Sequence, residues 1–249
     1  MTTLNTITRF LNKELRTSKI ADHSRNGLQV RGKKEVKKIV FGVDACMELA
    51  VKAKKEKADL IIVHHGLLWK RQEDKGGLRK KVVSFLKKNK ISLYASHLPL
   101  DLHPIYGNNK QLCNITGIDI KGTMGKYHGI YIGMYGTLKT GVASLTNKLN
   151  KKLKTKCIVH NFGKKQVKKI AVVSGCAPDL VVGAKQIGCD TFITGEAMHS
   201  HYHVNKELAM NVIHAGHYAT ETLGVKALEK LLKTRFKLKT KFVDIPTNL

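Results

Sequence analysis

The chain has 249 residues, 42% of them hydrophobic, enough to bury a sizeable core in one compact unit or two tightly joined halves. This excludes global disorder, and no run approaches the ~20 apolar residues of a membrane helix. Lys and Arg total 45 against 18 acids, a formal net charge of +27, which suits a solvated lysine surface or a polyanionic partner.

In chain order, Leu4, Ile7, Leu11 and Leu15 recur at helical spacing, with Thr2 or Thr3 as a cap. A turn-like stretch through Asn26-Gly27 follows. Residues 38–43 read as a buried strand, 45–57 as a helix, and 59–63 as a second strand that runs into His64-His65-Gly66. Val82, Val83, Phe85 and Leu86 mark another helix, and residues 91–95 a third strand ending at Ser96-His97. Strand, helix, strand, helix, strand argues a parallel α/β sheet. Pro99 predicts a loop for the segment from Leu98 to Asp101.

Residues 121–168 carry a strand (130–135), an amphipathic helix (Val142, Leu145, Leu149, Leu153) and a strand (157–162). With only His128 and His160 as ligand types, well apart, this segment reads as scaffold. Residues 169–173 then form a strand ending at Ser174-Gly175, followed by a helix through Leu180, Val181 and Ala184. Residues 190–194 form a strand ending at Gly195-Glu196, and 211–215 one ending at Gly216-His217. Residues 219–233 are the last clear helix, and 236–245 an edge strand.

The second half echoes the first. Ile39 and Ile170, like Asp59 and Asp190, are 131 residues apart, while His97 and His217, like Asp101 and Glu221, are 120 apart. His-x-x-x-Asp in one half thus matches His-x-x-x-Glu in the other. The expected division is 1–120, with the His-His pair and the His-x-x-x-Asp, and 121–249, with the His-x-x-x-Glu.

In open parallel sheets, ligands gather beyond the carboxyl ends of the strands. Asp44, His64, His65, His97, Asp101, Glu196, His217 and Glu221 all fall at such ends. His217 and Glu221, four apart at a helix start, share one face, and a carboxylate with two oxygens is able to bridge two cations. Adjacent His64 and His65 leave an extended strand on opposite sides, unless a turn at Gly66 aims both into one crevice. Taken singly, each pair also has an ordinary structural role: a capping or hydrogen-bonded pair, or one buried and one exposed histidine. His97 is a candidate ligand, ligand partner or proton shuttle. His199, His201 and His203 alternate after Glu196. As a helix they do not share a face, and His199 lies nearest the rim as a substrate or acid–base residue. The three imidazoles of His64, His65 and His217 with the two carboxylates of Asp101 and Glu221 suit zinc, iron(II), manganese or cobalt better than calcium or magnesium. No P-loop or G-x-G-x-x-G follows a strand. Cys46, Cys113, Cys157, Cys176 and Cys189 are odd in number and lack C-x-x-C spacing, so mostly buried, reduced thiols are expected. No signal peptide is read at the N-terminus, and a soluble, cytoplasmic protein with no membrane partner is expected.

Together, several segments resemble the Nif-three-like family of dinuclear metal-centre proteins, whose members are often called GTP cyclohydrolase I type 2. These are residues 26–30 (NGLQV), 58–66 (ADLIIVHHG), Ser96-His97 through Asp101, Ser174-Gly175, Thr194-Gly195-Glu196 with His199, and 215–221 (AGHYATE). The resemblance implies two similar α/β halves with mostly parallel sheets flanked by helices, without an inserted domain. It implies two divalent ions (zinc, iron or manganese) on His64, His65, Asp101, His217 and Glu221, with Glu221 bridging, and His97 and His199 around the pocket. It also implies a homohexamer. Pro99-Leu100 departs from the family's more polar pair, and the basic charge is no family requirement. The expected function is a metal-dependent hydrolase of a nucleotide or other phosphorylated small molecule. The alternative is a basic oligomer binding DNA or RNA, with structural or regulatory metals. Lysine excess over arginine suits phosphate attraction better than base readout.

Overall fold

The computed structural model describes residues 2–70, 74–127 and 129–249, with backbone only at Lys75. His128 lies outside the described residues. In chain order the elements are β1 (Thr2–Thr3), α1 (Leu4–Glu14), β2 (Gly27–Val30), β3 (Glu35–Val36), β4 (Lys38–Asp44), α2 (Met47–Lys55), β5 (Leu60–His65), α3 (Leu78–Lys88) and β6 (Ser92–Ala95). Next come α4 (Leu98–Asp101), α5 (Asn108–Thr116), β7 (Asp119–Tyr127), β8 (Ile130–Gly141), α6 (Val142–Leu153), β9 (Ile158–Asn161), β10 (Gln166–Val172), α7 (Val181–Gln186) and β11 (Thr191–Thr194). The chain ends with α8 (Tyr202–Glu207), β12 (Asn211–His214), α9 (His217–Phe236) and β13 (Lys239–Phe242).

Two units divide the chain: Met1–Leu100 with Gly224–Ile245, and Asp101–Leu223 with Pro246–Leu249. The cut differs from the 1–120/121–249 division read from sequence. Residues 101–120 pack α5 into the second unit, and β13 returns to the first, where it pairs with β4.

The first unit is built on a sheet of order β13-β4-β5-β6-β2, parallel except for β2. Near-continuous apolar strands are what a parallel sheet covered on both faces requires. Val40, Ile61, Val63 and Leu93 face Leu49, Ala53, Val82 and Leu86 of α2 and α3. Ile39, Phe41, Leu60, Ile62 and Tyr94 are buried as well. Tyr94 donates its hydroxyl to Asn12 of α1 at 3.0 Å. The Thr3 hydroxyl caps α1 by accepting the Thr6 N–H at 3.2 Å, and Leu4, Ile7 and Leu11 line its buried face.

The second unit has a mixed sheet, β7-β8-β10-β11-β12-β9, in which β10, β11 and β12 are parallel. Alternation sends Ile170, Val172, Ile193 and Ile213 to a core with Leu112, Leu145 and Leu149 of α5 and α6. Ala171, Val173, Phe192 and Val212 go to another core with Val181 and Ala184 of α7.

The parallel strands repeat the same frame. Ile39 pairs with Leu60 and Ile170 with Thr191, each a shift of 131. The Asp59 carboxylate accepts the backbone N–H of Lys37 and Lys38, and Asp190 accepts those of Lys168 and Lys169, again 131 further on.

Three expectations change. The segment from Leu98 to Asp101 is the short helix α4 rather than a loop. Pro99 is tolerated in a first turn because its missing N–H has no intrahelical acceptor there. β7, unread in the sequence, pairs with β8 as a long antiparallel hairpin. Of the five cysteines, all free, only Cys113 and Cys189 are buried, and Cys176 is exposed. Among the described residues, no helix is long and apolar enough to cross a membrane.

Candidate metal centre

In the first unit, the carboxyl ends of β4, β5 and β6 gather three histidines. The chain stays extended through His65, and the two neighbouring imidazoles take their Nδ1 acceptors from the chain on either side of β5. His64, fully buried, donates Nδ1–H to the Ser96 carbonyl just beyond β6 at 2.9 Å. His65 turns its Nδ1 to the Asp44 carboxylate, its register partner on β4, at 2.8 Å. His97 sets Nδ1 3.0 Å from Asp22. The three rings stand with centroids 4.7–5.5 Å apart, and a nitrogen of each lies within 4.8 Å of the others. With Nδ1 engaged by an acceptor, the neutral imidazole carries its lone pair on Nε2, the form that ligates a metal.

The loops around these histidines are held by amides and a glycine. Asn26 accepts the His97 N–H at 2.7 Å and donates to Asp22 at 2.8 Å. Asp22 also accepts the Leu98 N–H at 3.0 Å. Burial alone would raise the Asp22 carboxyl, but hydrogen bonds from His97, Asn26 and Ser24 and the His97 charge hold it down at about 2. Gln29 accepts the N–H of Leu67 and Leu68 at 2.7 and 3.2 Å, folding the chain sharply after His65. That approach requires Gly66, since a Cβ there would meet the Gln29 amide and sit 2.6 Å from Ala95 Cβ. Trp69 donates to the Gly66 carbonyl at 2.8 Å and sets its ring edge-on to His97.

The second unit supplies carboxylates and one histidine. His217 and Glu221 occupy the first turns of α9, with His217 Nε2 3.1 Å from Glu221 Oε2. His217 Nδ1 engages the Glu196 carboxylate at the end of β11. Burial works to lower the His217 pKa, yet Glu221 and Glu196 on either side of the ring raise it to about 9. Asp101, at the end of α4, accepts from Asn108 at 2.8 Å and from the Ser174 hydroxyl at 3.0 Å. Gly175 bends left-handed at φ +67, and a Cβ there would collide with Glu221 Oε1. Its bare Cα lets the Glu221 carboxylate pack directly against this turn. A Cβ on Gly195 would stand 2.8 Å from the His217 Cα, so that glycine lets α9 start close against β11.

His64, His65 and His97 are thus brought together in the first unit, and His217 and Glu221 in the second, with Asp101 anchored in the second unit by Ser174. His199 is exposed in a single 3₁₀ turn, His199–His201, and makes no hydrogen bond to His217, Glu221 or Asp101 among the described residues. His201 pairs with Asp179 at 2.9 Å, and His203 is exposed. The sequence reading missed Asp22 altogether, and gave no role to Asn26, Gln29 or Gly175. The donor chemistry fits a divalent transition metal: nitrogen lone pairs directed by fixed Nδ1 groups, and carboxylate oxygens.

Known proteins share this arrangement of the chain. Residues 2–248 match a family model described as Duf34/NIF3 (NGG1p interacting factor 3). Over 246 residues the chain is 44% identical to a protein of Pyrococcus horikoshii and 42% identical to one of Pyrococcus abyssi. Both are named GTP cyclohydrolase 1 type 2 homolog, and each match covers 98% of both chains. A solved structure from Thermus thermophilus superposes with a TM-score of 0.89 at 37% identity, covering 99% of this chain and 100% of that one.

Proposed function

Because the chain belongs to the Duf34/NIF3 family, we propose that it binds two divalent metal ions and hydrolyses a nucleotide or another phosphorylated small molecule. The proposed ligands are His64, His65, Asp101, His217 and Glu221, with Glu221 bridging, and the ions are zinc, iron or manganese. One observation carries this reading: His64, His65 and His217 each have Nδ1 engaged by an acceptor, which orients Nε2 as ligating histidines require. Relatives named GTP cyclohydrolase 1 type 2 homolog support a nucleotide as the first substrate to try.

When bound, two such ions make water a nucleophile near neutral pH and stabilise a developing oxyanion. The protein's own part is positioning and proton transfer. Asp22 holds the Nδ1 side of the His97 ring, so His97 Nε2 is the group that takes and returns a proton. Trp69 packs edge-on against the His97 ring and helps hold its orientation. His199, exposed in its turn, is the second candidate for proton transfer or substrate contact. A homohexamer is part of the same proposal, read out by light scattering on the purified protein.

The test is elemental analysis of the metal-loaded protein together with hydrolysis of GTP, cyclic nucleotides and a phosphoester panel. Two ions per chain and turnover that falls with Glu221→Ala are expected. No metal under metal-replete conditions sinks the metal reading, and no turnover on any panel member sinks the hydrolase. The net charge of +27 favours a second reading, a basic oligomer that binds DNA or RNA. Binding that falls steeply with salt supports it, and a flat salt dependence removes it.

A further inference from the structure

A second histidine pair lies in the second unit, outside the residues assigned above. His160 sits on the edge strand β9 opposite Val212 of β12. His214, two residues further along β12, is its diagonal neighbour on the same face, within reach of an aromatic ring. The two rings stand 4.8 Å apart at 72°. His214 Nδ1 lies 2.7 Å from the Glu196 carbonyl oxygen. A carbonyl only accepts, so Nδ1 carries the proton and Nε2 the lone pair. That Nε2 points at His160 Nδ1 from 3.4 Å.

Asn205 of α8 completes the group. It is 1% exposed, its amide lies 3.0 Å from the same His160 Nδ1, and its Oδ1 has no hydrogen-bond partner among the described residues. With the amide nitrogen donating, His160 Nδ1 is an acceptor, and two imidazole lone pairs face each other. Protonation is a poor remedy, since burial lowers the pKa of both rings, that of His214 to about 4. Turning the amide over is an equivalent assignment and sets the oxygen 3.0 Å from His160 Nδ1. A separation of 3.4 Å is also the spacing of two nitrogens on a tetrahedral ion with bonds of roughly 2.0–2.1 Å. Tyr202 and Phe162 wall the His160 ring, at 5.1 and 5.7 Å. A cavity of about 270 Å³, lined by His214, Glu196, Ile158 and Lys156, gives access from outside.

We propose that His160 Nδ1, His214 Nε2 and Asn205 Oδ1 form a separate site for one divalent transition-metal ion of the zinc–copper class, with its remaining position open to the cavity. Neutral imidazoles without a carboxylate select such ions over calcium or magnesium. The site does not depend on the dinuclear reading, and its ion is additional to those on His217 and Glu221.

The experiment loads the full chain with Zn²⁺, removes free metal and counts zinc per chain in the parent, His160→Val, His160→Cys and Glu221→Gln proteins. Valine suits an edge strand, so His160→Val keeps the fold. It is expected to hold one zinc fewer than the parent, His160→Cys to hold the full count through its thiolate, and the His160→Val loss to persist in the Glu221→Gln background. Imidazole ¹⁵N spectra of the parent give a readout free of any variant. Zinc is expected to shift His160 Nδ1 and His214 Nε2 together. An unchanged zinc count in His160→Val overturns the proposal, as do ring nitrogens unmoved by zinc. Loss of zinc from Glu221→Gln alone bears on the dinuclear reading and leaves this one standing.

Discussion

The two units use one frame for opposite chemistry. Moved along by 131 residues, Asp44, His64 and His65 fall on Gly175, Gly195 and Glu196. In the first unit the strand ends carry imidazoles, and the carboxylate Asp44 holds His65 in place. In the second unit the strand end carries the carboxylate Glu196, which holds a histidine standing on a helix. The two glycines leave that helix room to approach. A strand end fixes the position of a Cα, and the side chain placed there decides whether it offers a ligand, orients one or steps aside. The first unit therefore presents imidazole nitrogens at its strand ends, and the second presents carboxylate oxygens beside its histidine.

The sharpest way to break this contrast is to neutralise the second unit's carboxylate. Glu221→Gln is expected to remove at least one of the two proposed ions, read by metal content. It also takes away a partner that raises His217, so the His217 pKa should fall from about 9, measured by NMR on the metal-free protein. The sign follows. A raised folded pKa stabilises the protein below the unfolded value of ~6.5, and that contribution is lost as pH rises through about 9. A proton on His217 also competes with metal, so metal affinity should climb with pH up to about 9 and climb less in Glu221→Gln. Affinity independent of pH would show that His217 is no ligand.

Gly175→Ala comes next. Its left-handed φ of +67 costs an alanine about 1–2 kcal/mol, and the new Cβ collides with Glu221. Both lower stability and push Glu221 off its position, so thermal unfolding and metal content should fall together. The equivalent residue of the first unit already bears a side chain, Asp44, and this is where the two frames differ most in backbone demand.

Asp22→Asn tests the first unit. The Asp22 carboxyl sits at about 2 in the fold against 3.8 unperturbed, which corresponds to roughly 2 kcal/mol of stability. A depressed pKa gives stability that is present above the unfolded value and lost as pH falls through about 2. Asp22→Asn should therefore unfold more easily at pH 7 and show a flatter acid limb in denaturant titrations. An unchanged acid limb would mean that the fold does not hold the Asp22 carboxyl down.

How much of this the sequence disclosed depends on range. Strands such as β4 and β10 are legible because every residue from Ile39 to Phe41 and from Ile170 to Val172 is buried, leaving long apolar runs. His217 and Glu221 are legible because one helical turn joins them. β7 is not, since Asp119–Tyr127 holds two glycines, two lysines and little alternation, and becomes a strand through β8. Asp22 is not, since an aspartate in a turn-like stretch looks like turn chemistry and its partner His97 lies 75 residues away. Asn26 and Gln29 fall in a stretch that carries the resemblance, and only the fold explains them, as acceptors for the N–H groups of His97, Leu67 and Leu68.

The smallest expected effect sharpens the comparison most finely. Asp101 is positioned by the neutral hydroxyl of Ser174 at 3.0 Å and the amide of Asn108 at 2.8 Å, whereas His65 is positioned by the carboxylate of Asp44. Ser174→Ala removes one neutral hydrogen bond, worth about 1 kcal/mol of stability, and loosens a proposed ligand by about tenfold in metal affinity. Asp44→Asn removes a charged partner and should weaken metal binding toward about a hundredfold while leaving the buried core intact. Both variants are compared by metal titration and thermal unfolding in one buffer. If Ser174→Ala weakens metal binding more than Asp44→Asn, the second unit relies on orientation more than on charge, and the division of labour between the two frames is reversed.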